Sequence, residues 1–228
     1  MALTDIMAHI PLFSGMPKEH IEELTDIVVD QTFGKGQSIF SEGDEASGFY
    51  VVITGRVKVF KLSPEGKEQI LHIFGAGEPF GEVPVFGGGR FPANAETIEK
   101  SRIFFFSRPA FVDLIRRQPS LALNMLAALS RLLRQLTHLV ENLSLKEVPG
   151  RLAAYLLHLS QIREGSDDLE LDVAKGQLAS MLGTIPETLS RILAKMTNQG
   201  IIEMQGRRIR LTDRQALEDL ASGMKSFL

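Results

Sequence analysis

The stretch KGQLASMLGTIPETLSRILA, residues 175–194, decides the fold of the last third of the chain. Its apolar residues recur at helical spacing on both sides of Gly183, and glycine suits a tight turn because it adopts positive φ without strain. The small Ala179, four residues earlier, lets two helices cross closely. The pattern predicts a helix-turn-helix with helices over 175–182 and 185–199.

The second of these helices carries the residues that predict readout of DNA bases. Glu187, Ser190 and Arg191 stand at positions i, i+3 and i+4, so they share one face. In this motif that part of the helix enters the major groove, where arginine donates to guanine and glutamate accepts from cytosine. Thr184 and Glu187 also fit a capping box, which would give the glutamate a structural role only. An αα-hairpin without a DNA function is the alternative for the whole motif.

Basic residues around the motif predict contacts with DNA phosphates. The runs 201–204 and 208–212 flank a turn and predict a β-hairpin, or wing. Phosphate contacts position a protein on DNA without reading its sequence. The predicted phosphate contacts are Lys175, Thr188, Arg207 and Arg208.

The distribution of charge supports this prediction better than the total does. The chain has 25 basic and 28 acidic residues, a formal net charge of −3, which alone argues against nucleic acid as a partner. Residues 175–210, however, contain six basic and two acidic side chains. The predicted DNA-binding stretch is therefore positive, and the excess of acidic residues lies elsewhere.

The first half of the chain is rich in short apolar runs separated by glycine-containing turns. This pattern is typical of a small antiparallel barrel or sandwich. The predicted strands are 49–53, 56–62, 69–74 and 102–106, after a helix over 17–29. The predicted domains are an effector-sensing β domain over 1–118, a long helix over 119–147 and a DNA-binding domain over 148–228.

The long helix has two apolar stripes. One follows an a/d heptad spacing, which is typical of a coiled-coil seam, and it predicts a homodimer. The second stripe contains Leu126, Leu133 and Val140, so one stripe is expected to pack on the helix's own domain. A buried helix in a monomer is the alternative. The predicted dimer seam comprises Met125, Leu129, Leu132, Leu136, Leu139 and Leu143.

Several classes of protein and site are excluded by the sequence. The chain contains no cysteine, which excludes disulfides, thiolate nucleophiles, cysteine-ligated zinc and iron–sulfur clusters. No nucleophile–base–acid set is visible, so we do not expect an enzyme. The chain also lacks a basic, apolar leader and the ~20 apolar residues of a membrane span. We therefore expect a soluble, cytoplasmic protein with no membrane partner.

From Ile10 to the wing, the chain resembles the CRP/FNR superfamily of bacterial transcription regulators. The resemblance implies an α+β chain with an N-terminal antiparallel β-roll of the cyclic-nucleotide-binding type, a long dimerisation helix and a C-terminal winged helix-turn-helix. It implies a homodimer on palindromic double-stranded DNA, with RNA polymerase as a partner if the protein activates. The matching segments are Gly43-Asp44, YVVITGRV at 50–57, Phe80-Gly81-Glu82, VPGRLA at 148–153 and ETLSR at 187–191.

The ETLSR segment is similar to the FNR branch, which has serine directly before the arginine. This likeness implies a palindrome that contains TTGA or a closely related sequence. Pro186 departs from the basic residue common at its position in the family, which puts one DNA contact in doubt.

The resemblance also implies an effector pocket between the β-roll and the long helix. In cAMP-binding members the glutamate of Phe-Gly-Glu binds ribose and a nearby Arg-Ser pair binds phosphate. Glu82 matches, but Arg90 is followed by Phe91 and proline, so cAMP is not favoured. The pocket residues implied are Phe80, Gly81, Glu82, Val83, Arg90, Phe91, Leu136 and Thr137.

A further likeness points to a gas sensor. GGRFPANAE, residues 88–96, is similar to the branch with DNR-type NO sensors and regulators of hybrid-cluster-protein genes, which implies haem. His9, His20 and His72 are the candidate ligands, although none has a metal-site spacing. The predicted function is therefore a DNA-binding regulator that senses a small molecule or gas rather than cAMP. The alternatives are a cAMP-type regulator and a ligand-binding module that does not bind DNA.

Overall fold

The computed structural model describes residues 3–223, except for the side chains of Pro84 and Val85. These residues form two units, one of residues 3–65 and 71–135 and the other of residues 66–70 and 136–223. The change between units falls inside the longest helix. The proposed division at 118 and 147 stays a prediction.

The first unit is built from eight antiparallel strands and the helices around them. Its helices are α1 (Leu3–Ala8), α2 (Lys18–Ile27), α3 (Val83–Gly87), α4 (Arg108–Arg117) and the first part of α5 (Ser120–Leu145). The strands are β1 (Val28–Phe33), β2 (Ser38–Phe40), β3 (Gly48–Thr54), β4 (Val57–Leu62), β5 (Glu68–Phe74), β6 (Pro79–Phe80), β7 (Asn94–Thr97) and β8 (Ser101–Ser107). Strand β5 begins in the residues assigned to the second unit.

The strands form two four-stranded sheets, in the orders β1-β8-β3-β6 and β2-β7-β4-β5. Alternation along β3 and β8 turns one row of side chains into the core, with Phe49 opposite Phe106 and Val51 opposite Phe104. The α+β class and the β-rich N-terminal half are confirmed. Strands β1, β2, β6 and β7 are additional to those predicted.

The long helix α5 packs its first turns on the core of the first unit. Met125 is 3% exposed and belongs to the cluster of Phe49, Phe106 and Phe111, and Leu129 packs against that cluster. Leu132 packs against the second cluster, around Phe40, Phe80 and Phe91. Met125 is thus covered by its own domain, whereas Leu129 and Leu132 are half-buried, and the part of these two leucines in a dimer seam stays a prediction.

The other stripe of α5 is the exposed one. Leu126 and Leu133 are 58% and 67% exposed, and Val140 is 63% exposed. The predicted seam residues Leu136, Leu139 and Leu143 are half-buried. In the single chain, the second stripe is therefore the more exposed of the two, and the choice of stripe for a dimer seam stays a prediction.

The second unit contains the helix-turn-helix and a small sheet. Its helices after α5 are α6 (Val148–Ile162), α7 (Lys175–Met181), α8 (Pro186–Asn198) and α9 (Arg214–Ser222). Its strands are β9 (Asp168–Glu170), β10 (Ile202–Gln205) and β11 (Arg208–Leu211), in the order β10-β11-β9. The predicted wing is confirmed as the β10–β11 hairpin, and β9 adds a third strand.

The segment Val148-Pro149-Gly150 forms the first turn of α6. Proline is tolerated there because the first backbone N–H groups of a helix have no partner within it. A Cβ on Gly150 would lie 2.7 Å from the carbonyl oxygen of Leu220 in α9. The glycine therefore permits close packing of α6 against α9.

The turn of the helix-turn-helix is formed as predicted. Gly183 has φ +65°, and the N–H of Thr184 donates to the carbonyl of Ala179 over 2.9 Å. Ala179 and Leu189 are fully buried between the two helices. The predicted capping box is wrong, because the N-cap residue is Ile185 and no side chain caps the helix.

Candidate nucleic-acid interface and effector cavity

Helix α8 separates a buried face from an exposed polar face. Its apolar side chains Leu189, Ile192, Leu193 and Met196 are buried. Glu187, Ser190 and Arg191 are exposed, and among the described residues no hydrogen bond or ion pair ends on any of their side chains. Because the capping box is not formed, Glu187 has no structural role that competes with a contact to DNA. The three predicted base-reading residues are thus brought together on one accessible face.

The start of α8 lacks a side-chain cap. Ile185 occupies the N-cap with extended backbone, and Pro186 follows in the first turn. A serine, threonine, asparagine or aspartate at the N-cap contributes about 1 kcal/mol by accepting from a backbone N–H. Isoleucine cannot accept this hydrogen bond, and Ile185 is also 49% exposed. Sequence reasoning missed this residue, although an apolar side chain directly before Pro186 and Glu187 is unusual at a helix start.

The basic side chains of the wing are not equivalent. Arg207 donates from Nε and Nη2 to the carbonyl oxygen of Leu171, over 2.9 and 2.6 Å. Arg210 donates to Asp168 over 2.8 Å, and this hydrogen bond holds the pKa of the Asp168 carboxyl below its usual range. The backbone therefore restrains Arg207, and Asp168 offsets the charge of Arg210.

The other predicted phosphate contacts lie on the second unit in different settings. Lys175 begins α7 and is exposed, and Arg208 is exposed at the start of β11. Thr188, in the first turn of α8, is half-buried. Contacts between these residues and DNA phosphates stay predictions.

The first unit contains a cavity of about 670 Å³ beside the N-terminal part of α5. The segment before α2, strand β5 and the turn that leads into β6 form its other walls. Leu129, Leu132 and Phe74 supply apolar surface. The polar lining residues are His9, Ser14, His72, Glu78, Glu82, Asn124, Arg131 and Gln135.

Most of the residues predicted to form the effector pocket have other roles. Phe80 and Phe91 lie in the aromatic core, and a Cβ on Gly81 would meet Phe40 and Phe91 at 3.1 and 3.2 Å. These positions pack in the core and do not line this cavity, and their part in an effector pocket stays a prediction.

Arg90 and Val83 also lie outside the lining of this cavity. Arg90 donates from Nη1 to the carbonyl oxygen of Gly43 over 2.7 Å, and Val83 is 57% exposed. Glu82 alone among the predicted residues of the first unit lines the cavity. Leu136 and Thr137 belong to the second unit, and their part in an effector site stays a prediction.

Glu82 is a buried acid at the wall of the cavity. It is 3% exposed, and burial raises the pKa of its carboxyl. The backbone N–H of Glu82 bonds its own carboxyl, which lowers the pKa in part, and burial remains the larger effect. Burial in low dielectric penalises the charged carboxylate, so a ligand that supplies a donor would offset this cost.

Glu82→Gln is expected to stabilise the ligand-free protein at neutral pH, because the amide carries no charge that burial would penalise. A raised pKa means that the folded chain binds the proton more tightly, so this group's contribution is largest below the unfolded pKa. It is lost as pH rises through the folded pKa. Denaturant unfolding at about pH 5 and about pH 8 should show a larger loss for the unchanged protein than for the variant. Equal losses would contradict this role for Glu82.

Two of the three candidate haem ligands line the cavity. His9 and His72 are among its lining residues, whereas His20 hydrogen-bonds Glu23 and Gln118. Burial lowers the pKa of His72, although Glu78 raises it. Neutral imidazole is the form that binds iron. Over the described part of the chain, no cluster of three or more potential metal-binding side chains occurs.

No helix within residues 3–223 is long and apolar enough to cross a bilayer.

Comparison with known proteins assigns both parts of the chain. A family model for the cyclic nucleotide-binding domain matches residues 30–118, and one for the Crp-like helix-turn-helix domain matches residues 150–220. The CRP-like cAMP-activated global transcriptional regulator of Mycobacterium tuberculosis is 30% identical over 220 residues, which cover 94% of this chain and 98% of that protein.

Two further proteins are similar to the chain over most of its length. The fumarate and nitrate reduction regulatory protein of Escherichia coli is 28% identical, over 89% of this chain and 83% of that protein. The structure of FixK2 from Bradyrhizobium japonicum superposes with a TM-score of 0.72 at 26% identity, over 85% of this chain and 97% of that one. The chain thus belongs to the CRP/FNR family of DNA-binding transcription regulators.

Proposed function

We propose that the protein is an effector-controlled homodimer that binds a palindromic DNA site through α8 and acts in the cytoplasm, where it contacts RNA polymerase if it activates. The main support for this proposal is the accessible face of Glu187, Ser190 and Arg191 on the second helix of the helix-turn-helix. Two such helices read half-sites roughly one helical turn, ~34 Å, apart. The alternative of a ligand-binding module without a DNA function leaves this polar face and the wing without a role.

The exposed stripe of α5 supports the homodimer. Leu126, Leu133 and Val140 recur every seven residues, and Leu123, three residues before Leu126, is 67% exposed. The intervening heptad positions, 130 and 137, are serine and threonine, so the stripe has one apolar residue per heptad after Leu126. A row of exposed apolar residues on one helix face marks an interaction site. A second copy of α5 satisfies this face because the same stripe is self-complementary under two-fold symmetry.

Selection from a random duplex library tests the DNA-binding part of the proposal. The expected result is a palindrome with a guanine in each half-site, bound with an affinity that falls steeply as salt rises. Failure to enrich any duplex at low salt, or enrichment of unpaired half-sites only, would contradict the proposal.

For the effector, we propose a small molecule or gas held in the cavity of the first unit, with haem as the first candidate. The support is the position of His72, whose imidazole is kept neutral at the cavity wall, with His9 on the same wall. Arg131 offers a cation there for the propionates of haem. When bound, haem would supply an iron that binds NO or another diatomic gas.

Cyclic AMP is the second candidate. The buried carboxyl of Glu82 is suited to accept from ribose hydroxyls, and the similar M. tuberculosis protein is named as cAMP-activated. The observation against it is Arg90, whose guanidinium bonds the Gly43 carbonyl and does not line the cavity. A cyclic phosphate there would lack a basic partner from the β-roll.

Absorption spectra distinguish the two candidates. Haemin added to the purified protein should give a saturable Soret band that shifts with NO, and His72→Ala should reduce haemin affinity by about tenfold or more, the effect expected when an axial ligand is lost. His20→Ala is the matched control and should bind haemin unchanged. A calorimetric signal with cAMP and no Soret band would favour the cyclic nucleotide instead.

A further inference from the structure

The N-terminal tip of α8 presents an apolar surface beside the polar base-reading face. Ile185 is 49% exposed and Pro186 is exposed. The other aliphatic residues of α8, such as Leu189 and Ile192, are buried in the core of the second unit. Ile185 is therefore not part of the packing that holds the helix in place.

Local folding does not account for an isoleucine at this position. Ile185 is the N-cap, where no side chain bonds a backbone N–H of the first turn. Thr184 has a suitable hydroxyl but stands one residue too early. A polar residue at 185 would begin the helix better, so the apolar side chain weakens the helix start without a gain in burial.

The surface that α8 is built to meet contains one matching apolar feature. At the base edges of the major groove, the donors and acceptors of all four base pairs are polar, and the C5-methyl group of thymine is the apolar exception. Residues at the start of the second helix contact base edges in this motif. Pro186 precedes Ser190 by four residues and so lies on the base-reading face, and Ile185 stands directly before Pro186 as the N-cap.

We propose that Ile185, together with Pro186, contacts a thymine methyl in each half-site and so determines a preference for thymine over cytosine there. The inference rests on the proposed DNA-binding function and adds a residue that reads a base through an apolar contact. It completes a face in which Arg191 and Glu187 read polar edges and the helix tip reads a methyl group.

The test replaces each thymine of the selected palindrome, one position at a time, by deoxyuridine, which lacks only the C5-methyl group. With the unchanged protein, one thymine per half-site should show about a fourfold loss of affinity on replacement, the size expected for one buried methyl group. Insensitivity of every thymine to this replacement would overturn the inference. Absence of binding to any duplex would instead overturn the proposed function.

Variants then assign the effect to Ile185. Ile185→Ala should bind the thymine and deoxyuridine duplexes with equal affinity at the sensitive position. Ile185→Ser should behave in the same way while its Tm rises, because serine restores a cap, so misfolding cannot explain the result. Ile162→Ala, which changes an isoleucine that is 66% exposed at the end of α6, is the matched control and should keep the fourfold difference. A fourfold difference retained by both Ile185 variants would assign the methyl contact to another residue.

Discussion

Arg191→Ala is expected to weaken binding to the selected palindrome by about 1–3 kcal/mol per half-site and to abolish the preference for one guanine. The physical reason is the setting of the side chain on α8. Arg191 is exposed, and within the described residues it has no hydrogen-bond or ion-pair partner, so its guanidinium can donate to O6 and N7 of one guanine. A dimer contains two copies, and the loss for the whole site should be close to double.

The comparison of two arginines separates base readout from general attraction. Arg208→Ala removes a positive charge from the wing, where contact with phosphate is predicted. It should weaken binding evenly across sequences and reduce the salt dependence by about one ion per half-site. Arg191→Ala should change the sequence logo obtained by library selection. An unchanged logo for Arg191→Ala would show that this arginine does not read the guanine.

The helix-turn-helix was predictable because its determinants are local. A small residue, a turn glycine and an apolar residue on the second helix lie within about ten residues, and Ala179, Gly183 and Leu189 have the roles that this spacing predicts. The exact start of α8 was not, because a single-residue shift moved the cap from Thr184 to Ile185. A helix that begins with a capping box at Thr184 and a helix that begins one residue later are predicted from nearly the same sequence pattern.

The lining of the cavity was not predictable from the Phe-Gly-Glu segment alone. Phe80 and Phe91 pack with Phe40, whose ring lies 3.7 Å from that of Phe91, so the core takes up side chains that flank Glu82. Arg90 bonds a carbonyl 47 residues away. Such contacts depend on how distant strands pair; three of those strands, β2, β6 and β7, have only two to four residues, and the first residues of β1 were assigned to the preceding helix.

The burial of Met125 in its own domain has the same origin. Met125 and Leu126 are adjacent apolar residues, and a seven-residue repeat runs through both stripes. Only the aromatic cluster formed by residues far away in sequence decides which one is covered. The exposed stripe of Leu123, Leu126, Leu133 and Val140 is therefore the surface on which the dimer prediction now depends.

Leu126→Glu combined with Leu133→Glu is expected to convert the dimer into a monomer and to lower affinity for the palindrome by about 10²–10⁴-fold, since each half-site is then bound independently. The two carboxylates would face their counterparts across the seam, where burial of unpaired like charges is costly. Sedimentation equilibrium measures the change in mass. The ratio of the affinities for a full palindrome and for a single half-site measures the lost coupling between the two half-sites.

The exposure of the two leucines also predicts that the double variant folds. Both leucines are more than half exposed in the single chain, so glutamate at these positions leaves the core of the first unit intact. The far-ultraviolet circular dichroism spectrum should therefore be unchanged. Leu62→Glu alters another leucine, 51% exposed at the end of β4, and should stay dimeric with full affinity. If the double variant remains a dimer, the helices associate through the half-buried residues Leu136, Leu139 and Leu143 instead, and the original seam would hold in its C-terminal half.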